Sequence, residues 1–190
     1  MNLQTLSATQ IQDEIRLGNV KMAVIGLGQV GLPLALEFAK QGASVIGVDI
    51  DQQRVNLIKQ GICPINHLAD TFSQFRGRSN LQATSEITEA VDSSHIHILC
   101  LPSPLGKDRL PDLSAILTAT KAVGRGLKKG DLVILESTVY PGVTTRIVKP
   151  SLEESSGLRA GDDFRLAYCF ERIDPGNTEH RLDNTPKIVG

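Results

Sequence analysis

The sequence predicts a doubly wound α/β fold, in which a mainly parallel sheet carries helices on both faces. Short apolar runs alternate with stretches of helical periodicity from Lys21 onward, which is the order of βαβ units. A glycine-rich turn, GLGQVG, joins the first apolar run to the first helical stretch. With 190 residues, the chain is long enough for one sizeable core and too short for two domains of ordinary size.

A helix is expected ahead of the sheet. Ser7 is a typical N-cap, residues 8–17 have helical character, and Gly18 would end the helix. We therefore divide the chain into an N-terminal helical extension, residues 1–20, and one domain, residues 21–190.

The remaining elements follow from the alternation of apolar strands and helical segments. Strands are expected in six runs: KMAVIG, ASVIGVD, NLQAT, HIHILCLPSP, DLVILEST and FRLAYCF. Helices are expected in VGLPLALEFAKQG, DQQRVNLIKQG, EITEAVD, LSAILTATKAVGRGL and PGVTTRIVKPSLEES. Asp112 would cap the fourth of these helices, and a proline would lie in the first turn of the fifth. Residues 62–78 are interpreted as a mixed loop with some helical character, and ERIDPGNTEHRLDNTP as a long polar loop.

An apolar, strand-like run, KIVG, comes last, and no helix follows it. Parallel strands normally need cover on both faces of the sheet. We therefore expect residues 21–190 to be the first domain of a longer protein.

Composition argues against several classes of partner. Charged residues nearly cancel, with a formal net charge of −1 and a pI near 6.4, so no overall field favours nucleic acid or an anionic membrane. No apolar run approaches the roughly 20 residues that span a bilayer, and the N-terminus lacks the features of a signal peptide. We expect a soluble, cytoplasmic protein without nucleic-acid or membrane partners.

The cysteines and histidines do not predict a disulfide or a metal site. Cys63, Cys100 and Cys169 are odd in number and lie far apart, with no CxxC pair. His95 and His97 alternate at the start of a strand, a spacing compatible with a ligand pair, but no third ligand is evident. We expect reduced thiols and no metal.

The glycine turn has the pattern of a dinucleotide-binding Rossmann fold. Gly26, Gly28 and Gly31 follow a strand and open a helix, with Gln29 and Val30 between the last two glycines. The first glycine allows the tight turn, the second lets the backbone approach a pyrophosphate, and the third lets helix and strand pack. Free N–H groups at the start of the helix would receive the negative charge. These five residues are predicted to bind the cofactor.

An acidic residue at the end of the second strand selects among dinucleotides. Asp49 lies 18 positions beyond the last glycine, where it can accept hydrogen bonds from the two hydroxyls of an adenosine ribose. A 2′-phosphate would face this carboxylate, so NAD is favoured over NADP. Arg54 is also predicted to contact the cofactor and could weaken that preference. Two alternatives stay open here: a flavin cofactor, and a turn that only packs a helix.

Four motifs in order give the chain a recognisable resemblance: GLGQVGLPLA, LPSPLG, LVILESTVYPG and YCFERIDPGN. Together they resemble the N-terminal domain of the UDP-glucose and UDP-N-acetylhexosamine 6-dehydrogenases. The resemblance implies a reaction in which two NAD molecules oxidise the primary alcohol at C6 of a UDP-sugar. The product is a uronic acid, formed through an enzyme-bound intermediate on a cysteine, and family members are commonly homodimers.

The resemblance also implies roles for particular residues. Ser137 and Thr138 match a pair at the end of the fifth strand, near the nicotinamide and the reacting carbon of the sugar. Glu171 matches a glutamate that assists proton transfer or positions water, so Thr138 and Glu171 are the predicted catalytic residues. The cofactor groove would also be lined by Pro102, Ser103 and Pro104. From the residues alone, Ser137 and Thr138 could instead cap the next helix, and Glu171 could pair with Arg172 or another surface residue.

Two departures from the family pattern bear on the substrate. Phe170 stands where the family usually has proline, and Pro175 stands where the UDP-glucose enzymes have a second glutamate. The sequence ERIDPGN is closer to the N-acetylhexosamine branch. We therefore favour UDP-GlcNAc or UDP-ManNAc over UDP-glucose.

Several family motifs do not occur in these residues. They include the glycine-rich motif of the nucleophilic cysteine, and the lysine and asparagine of the central helical region. The central helical and C-terminal UDP-binding domains are therefore expected to be absent from this chain, which should bind NAD but turn over no sugar nucleotide alone. Two alternatives stay open: an NAD-dependent hydroxyacid or hydroxyacyl dehydrogenase domain, and a non-catalytic NAD-binding module.

Overall fold

A six-stranded parallel sheet forms the centre of the computed structural model, which describes residues 2–75, 78–107, 109–172, 182 and 184–190. The strand order is β3-β2-β1-β4-β5-β6. The strands are β1 (Lys21–Ile25), β2 (Ser44–Val48), β3 (Leu81–Thr84), β4 (Ile96–Leu99), β5 (Leu132–Leu135) and β6 (Arg165–Tyr168). The chain runs outward from β1 to one edge and then returns to β4, so the carboxyl ends of β1 and β4 flank a crevice of the kind that binds ligands.

Helices cover both faces of this sheet, which confirms the predicted fold class. They are α1 (Ala8–Arg16), α2 (Gly31–Lys40), α3 (Gln52–Lys59), α4 (Ala69–Ser73), α5 (Ile87–Asp92), α6 (Ser114–Gly126) and α7 (Lys149–Ser156). Short 3₁₀ turns lie at Leu3–Thr5 and Asn66–Leu68. None of the helices in the described part of the chain is both long and apolar enough to cross a bilayer.

Two hydrophobic cores lie on the opposite faces of the sheet. Val24 and Leu32 belong to one core, in which α2 packs on the strands. Ile25, Ile116 and Leu152 belong to the other, in which α6 and α7 pack. Neighbouring residues of β1 thus contribute to different cores, as expected when successive side chains of a strand point to opposite faces.

The predicted N-terminal helix is confirmed as α1. The Ser7 hydroxyl accepts a hydrogen bond from the Gln10 backbone N–H, and the Gln10 side chain accepts one from the Ser7 N–H, so the two residues form a capping box. Gly18 follows the helix with a φ of +74°, the left-handed conformation typical of a helix end. The Leu3 N–H donates to Gly130 O at 3.2 Å, so this segment is tied to the loop before β5.

The segment after the fifth strand differs from the prediction. Pro141 was expected in the first turn of the helix, but it lies in a turn before the helical residues begin at Val143. The chain then passes through a wide π turn, Thr144–Val148, and Pro150 lies in the first turn of α7. Pro150 has no N–H to donate to the preceding turn, and an i→i+5 turn accommodates that lost bond.

The helical character predicted within residues 62–78 is present at Asn66–Leu68 and Ala69–Ser73. There, α4 buries Phe72, which is 3% exposed and belongs to the same core as Val24 and Leu32. Asp112 does accept a hydrogen bond from Ser114 N at 2.9 Å, at the start of α6. Most of the predicted polar loop, including Pro175, lies outside the described residues.

The KIVG run pairs with the outer edge of β6. Val189 bridges Cys169 in antiparallel orientation, and Tyr168 exchanges two backbone hydrogen bonds with Gly190, at 2.6 and 3.0 Å. The strand-like character predicted for this run is confirmed. The pairing brings Lys187 close to the carboxyl ends of β5 and β6.

Candidate functional site

Three glycines shape the turn between β1 and α2, and each has a different neighbourhood. Gly26 has a φ of +96°, and a Cβ on it would lie 2.3 Å from the Cys100 carbonyl oxygen. A Cβ on Gly31 would lie 1.8 Å from the Gly26 carbonyl oxygen. A Cβ on Gly28 would meet no atom within 4 Å. The fold itself therefore requires Gly26 and Gly31, whereas Gly28 leaves open space in front of the turn.

That open space belongs to a groove of about 810 Å³ at the carboxyl ends of the strands. Eleven predicted site residues line it: Gly26, Gly28, Gln29, Val30, Asp49, Arg54, Pro102, Ser103, Ser137, Thr138 and Glu171. Gly31 lies behind the turn, where it packs against Gly26. Pro104 is not among the lining residues, and its carbonyl accepts from Asp112 N at 2.7 Å.

One wall of the groove was not expected from the sequence. It is formed by small side chains of α6, among them Ser114, Thr118 and Ala122. Their spacing of four residues places them on one helix face. A search for small residues at helical spacing could have indicated this wall, because small side chains leave room for a ligand beside a helix.

Asp49 ties the glycine turn to β2 and α3. The carboxylate is 6% exposed and accepts hydrogen bonds from Leu27 N at 2.8 Å and Asp51 N at 2.9 Å. Its Oδ2 also lies 2.8 Å from Nη1 of Arg54, whose other terminal nitrogen is 3.8 Å from the Asp51 carboxylate. The charge of Arg54 is therefore engaged by two carboxylates at the position where a ribose would lie.

Ser137 and Thr138 are adjacent but differ in environment. The buried Ser137 Oγ accepts from Leu101 N at 2.9 Å and donates to Leu99 O at 3.3 Å, so it joins the ends of β4 and β5. The Thr138 side chain belongs to an exposed residue, while its carbonyl accepts a hydrogen bond from Ser103 Oγ. No side chain caps the helical turn that follows, so capping is not the role that the structure gives this pair.

Alanine substitutions at Ser137 and Thr138 should have different effects on the free energy of unfolding. Ser137→Ala leaves the Leu101 N–H without its partner, and we expect the free energy of unfolding to fall by about 1–3 kcal/mol. Thr138→Ala changes an exposed side chain and should alter stability by no more than about 0.5 kcal/mol. Urea unfolding followed by circular dichroism measures both values, and equal losses in the two variants would contradict the assignment.

A cluster of three ionisable side chains lies in the groove with Thr138. Glu136, the residue after β5, is 4% exposed, and the Lys187 ammonium donates to its Oε1 and to Glu171 Oε2, the latter at 2.8 Å. Glu171 Oε1 accepts from Arg172 N at 2.6 Å. The Glu171 carboxylate thus bonds the side chain of Lys187 and the backbone N–H of Arg172.

Glu136 has an unusual environment for a carboxyl group. Burial, followed by a hydrogen bond with the Glu171 carboxyl, raises the pKa of Glu136 to about 7, although the Lys187 ammonium opposes the shift. Burial disfavours the charge of Lys187, but its hydrogen bonds to both glutamates raise its pKa above the ordinary value. No role for Glu136 is predicted from the sequence. The available signal was a carboxylate at the end of a buried apolar strand.

The cysteines nearest this cluster are poor nucleophiles. Burial, followed by the nearby Glu136 carboxylate, raises the pKa of the Cys100 thiol well above its ordinary value. The same two causes raise the pKa of Cys169. Both thiols are therefore protonated at neutral pH, whereas nucleophilic attack requires a thiolate.

The two strand histidines serve the fold. The ring of His97 is fully buried, with its Nε2 3.1 Å from Asp131 Oδ2, and His95 Nδ1 accepts from Lys21 N at 3.3 Å. Within the described ranges, no three His, Cys, Asp or Glu side chains group closely enough to hold a metal ion.

Comparison with known proteins shows the family of this chain. Residues 20–190 match the UDP-glucose/GDP-mannose dehydrogenase family, NAD binding domain. The chain belongs to this family. The match confirms the resemblance seen in the four motifs and favours it over the hydroxyacid dehydrogenase alternative.

Individual members of the family are similar over most of this chain. A UDP-N-acetyl-D-glucosamine 6-dehydrogenase from Pseudomonas aeruginosa is 41% identical over 171 residues, which are 90% of this chain and 40% of that protein. A UDP-N-acetyl-D-mannosamine dehydrogenase from Pyrococcus horikoshii is 35% identical over 173 residues, covering 90% and 41% of the two chains. The chain therefore spans about two fifths of the length of these relatives.

Solved structures of family members have the same fold. An NDP-N-acetyl-D-galactosaminuronic acid dehydrogenase from Methanosarcina mazei superposes with a TM-score of 0.81 at 30% identity, covering 94% of this chain and 41% of the other. A GDP-mannose dehydrogenase from Pseudomonas aeruginosa gives 0.77 at 31% identity, covering 81% and 36%.

The groove fits the cofactor of this NAD-binding domain. Gly28 leaves space for a pyrophosphate, and no side chain caps the first turn of α2, whose N–H groups can therefore meet an anion. The Asp49 carboxylate lines the same groove and accepts a hydrogen bond from Leu27 N in the glycine turn. These features match the pyrophosphate and the ribose of a bound adenosine diphosphate.

Proposed function

We propose that this chain is the NAD-binding part of an NAD-dependent UDP-sugar 6-dehydrogenase. The proposed substrate is a UDP-N-acetylhexosamine, with UDP-GlcNAc or UDP-ManNAc favoured over UDP-glucose. The observation that carries the proposal is the single groove lined by the glycine turn, Asp49, Thr138 and Glu171. The names of the relatives and the ERIDPGN motif support the choice of sugar.

Cofactor binding follows from the placement of groups along the groove. The backbone at Gly28 and the start of α2 would hold the pyrophosphate, and Asp49 would accept hydrogen bonds from the adenosine ribose. Gln29, Val30, Arg54, Pro102 and Ser103 would complete the cofactor contacts. When bound, NAD supplies the acceptor for the hydride from C6 of the sugar.

Residues at the other end of the groove would act on the substrate. The exposed Thr138 hydroxyl would orient the sugar near its reacting carbon, with Ser137 holding β4 and β5 beneath it. Glu171 would move a proton or position the water that releases the uronic acid.

The rest of the activity would need more than this chain. We propose that residues 1–20 are a helical extension and residues 21–190 the NAD-binding domain. A nucleophilic cysteine, a lysine, an asparagine and the UDP pocket would come from central and C-terminal domains. The complete enzyme would be a cytoplasmic homodimer that uses two NAD molecules per sugar.

Calorimetry and a rate assay test this proposal. Titration of NAD into the 190-residue chain should give saturable binding, tighter than NADP. Absorbance of NADH should show no turnover of UDP-GlcNAc, UDP-ManNAc or UDP-glucose by that chain, and turnover of one of them by the complete natural protein. Failure to bind NAD would overturn the proposed function, and robust NAD reduction by the 190-residue chain would contradict the need for further domains.

A further inference from the structure

Three segments that are distant in sequence bring Glu136, Lys187 and Glu171 together. Glu136 follows β5, Glu171 follows β6, and Lys187 belongs to the run that pairs with the edge of β6. Both glutamates line the groove, and the Lys187 ammonium bonds both of them. Neither Glu136 nor Lys187 has a role in the proposed function so far.

Both carboxyl groups accept a hydrogen bond from the same Lys187 ammonium, which holds them close to each other. Two ionised carboxylates around one ammonium would leave a net negative charge, and a proton on one of them removes both that charge and the repulsion between the two groups. The side chains are 3% exposed for Glu136, 8% for Glu171 and 22% for Lys187. In such a buried place, one ammonium, one carboxylate and one carboxylic acid balance to zero charge, the arrangement that costs least in desolvation.

We propose that Glu136 and Lys187 are positioning residues that set the charge and orientation of Glu171, with the two carboxyl groups sharing one proton beside the reacting end of the groove. This inference rests on the proposed function for the role of Glu171. It adds two residues that would keep that carboxyl ready to accept or release a proton near neutral pH. The proton would move between Glu171 and Glu136 without leaving an uncompensated charge.

Other groups near the cluster do not supply the same function. In the part of the chain that the structure describes, these are the thiol of Cys100 after β4, the thiol of Cys169 after β6, and the side chain of Arg172. Burial and the Glu136 carboxylate raise the pKa of both thiols, so they are uncharged at neutral pH. The Arg172 guanidinium donates to Pro186 O at 3.3 Å. Lys187 therefore provides the positive charge that bonds both glutamates.

Carbon-13 NMR of the glutamate side-chain carboxyls in the 190-residue chain tests the inference. In the wild type, the Glu136 and Glu171 signals should each follow the same two-step titration, with the upper step near pH 7. In Glu136→Gln, Glu171 should titrate in one step, shifted toward acid by about one pH unit or more. Signals are assigned from their loss in Glu136→Gln and Glu171→Gln.

Substitutions at lysine complete the test. Lys187→Met should move both steps upward, because the carboxylates lose their counter-charge, and Lys187→Arg should restore most of the wild-type curve. Lys40→Met is the matched control, since Lys40 pairs with Glu37 on the surface of α2 at 3.5 Å, and it should leave both signals unchanged. Independent one-step titrations of Glu136 and Glu171 in the wild type would overturn the inference even if a variant failed to fold.

A kinetic measurement links the cluster to the proposed reaction. In the complete natural enzyme, Glu136→Gln should shift the pH profile of kcat and leave the Kd for NAD unchanged. An unshifted pH profile of kcat would mean that the cluster only stabilises the fold, and it would overturn the positioning role. The NMR titration needs no cofactor, so failure of the chain to bind NAD would count against the proposed function and not against the shared proton.

Discussion

Gly31→Ala is expected to destabilise the folded chain by about 3 kcal/mol or more. The new Cβ would lie 1.8 Å from the Gly26 carbonyl oxygen and 3.1 Å from the Cys100 Cβ. The first of these atoms is backbone, so a side-chain rotation cannot relieve the overlap, and α2 must move away from the sheet. Urea unfolding followed by circular dichroism measures the loss, and NAD binding should fall with it.

Gly28→Ala provides the matched control three residues earlier. Its Cβ would meet no protein atom within 4 Å, so stability should stay within about 1 kcal/mol of the wild type. The methyl group would instead occupy the space proposed for the pyrophosphate, and NAD affinity should fall about tenfold or more. If both variants had wild-type stability, or if Gly28→Ala bound NAD normally, the account of the turn would be wrong.

Asp49→Ala should weaken NAD binding by at least about 100-fold, the second large effect. Hydrogen bonds from two ribose hydroxyls to a carboxylate are worth about 1.5–3 kcal/mol each, and loss of the Leu27 N–H partner would also loosen the glycine turn. Arg54 would lose its closest partner and become available to a 2′-phosphate. The preference for NAD over NADP should therefore collapse, as measured by calorimetry with each dinucleotide.

Asp51→Ser tests whether the preference for NAD over NADP depends on the Asp49 carboxylate alone. Asp51 is exposed and accepts hydrogen bonds from Gln53 N and Arg54 N at the start of α3, a cap that serine can also form. Removing this neighbouring charge should leave the ratio of NAD to NADP affinity close to that of the wild type. An unchanged ratio in Asp49→Ala would contradict the proposed contact with the ribose.

Much of the fold was predictable because it depends on local patterns. The strands of the sheet are apolar runs of the right length, and the turn at Gly26 and Gly31 requires glycine for steric reasons that a motif records. Asp49 was predictable because the βαβ unit that contains the glycine turn also fixes the position of this residue at the end of β2. The strands, the glycines of the turn and Asp49 could therefore be predicted from the sequence.

Other features depend on contacts that no local pattern encodes. The burial of Phe72 by a five-residue helix follows from the neighbouring core, not from the periodicity of residues 62–78. Glu136 and Lys187 meet only because the KIVG run returns to the edge of β6. The separate environments of Ser137 and Thr138 likewise arise from hydrogen bonds to β4.

The position of β1 at the centre of the sheet has a consequence for the order of folding. Lys21 pairs with Ser44 across a short crossover, whereas Met22 pairs with Ile96, at about three times the sequence separation. Closing the longer segment, from Met22 to Ile96, costs more chain entropy before its contacts can form and offset that cost. We expect β1 to join β2 early and β4 late, so the ability to bind a dinucleotide between β1 and β4 would be among the last properties that a newly made chain acquires.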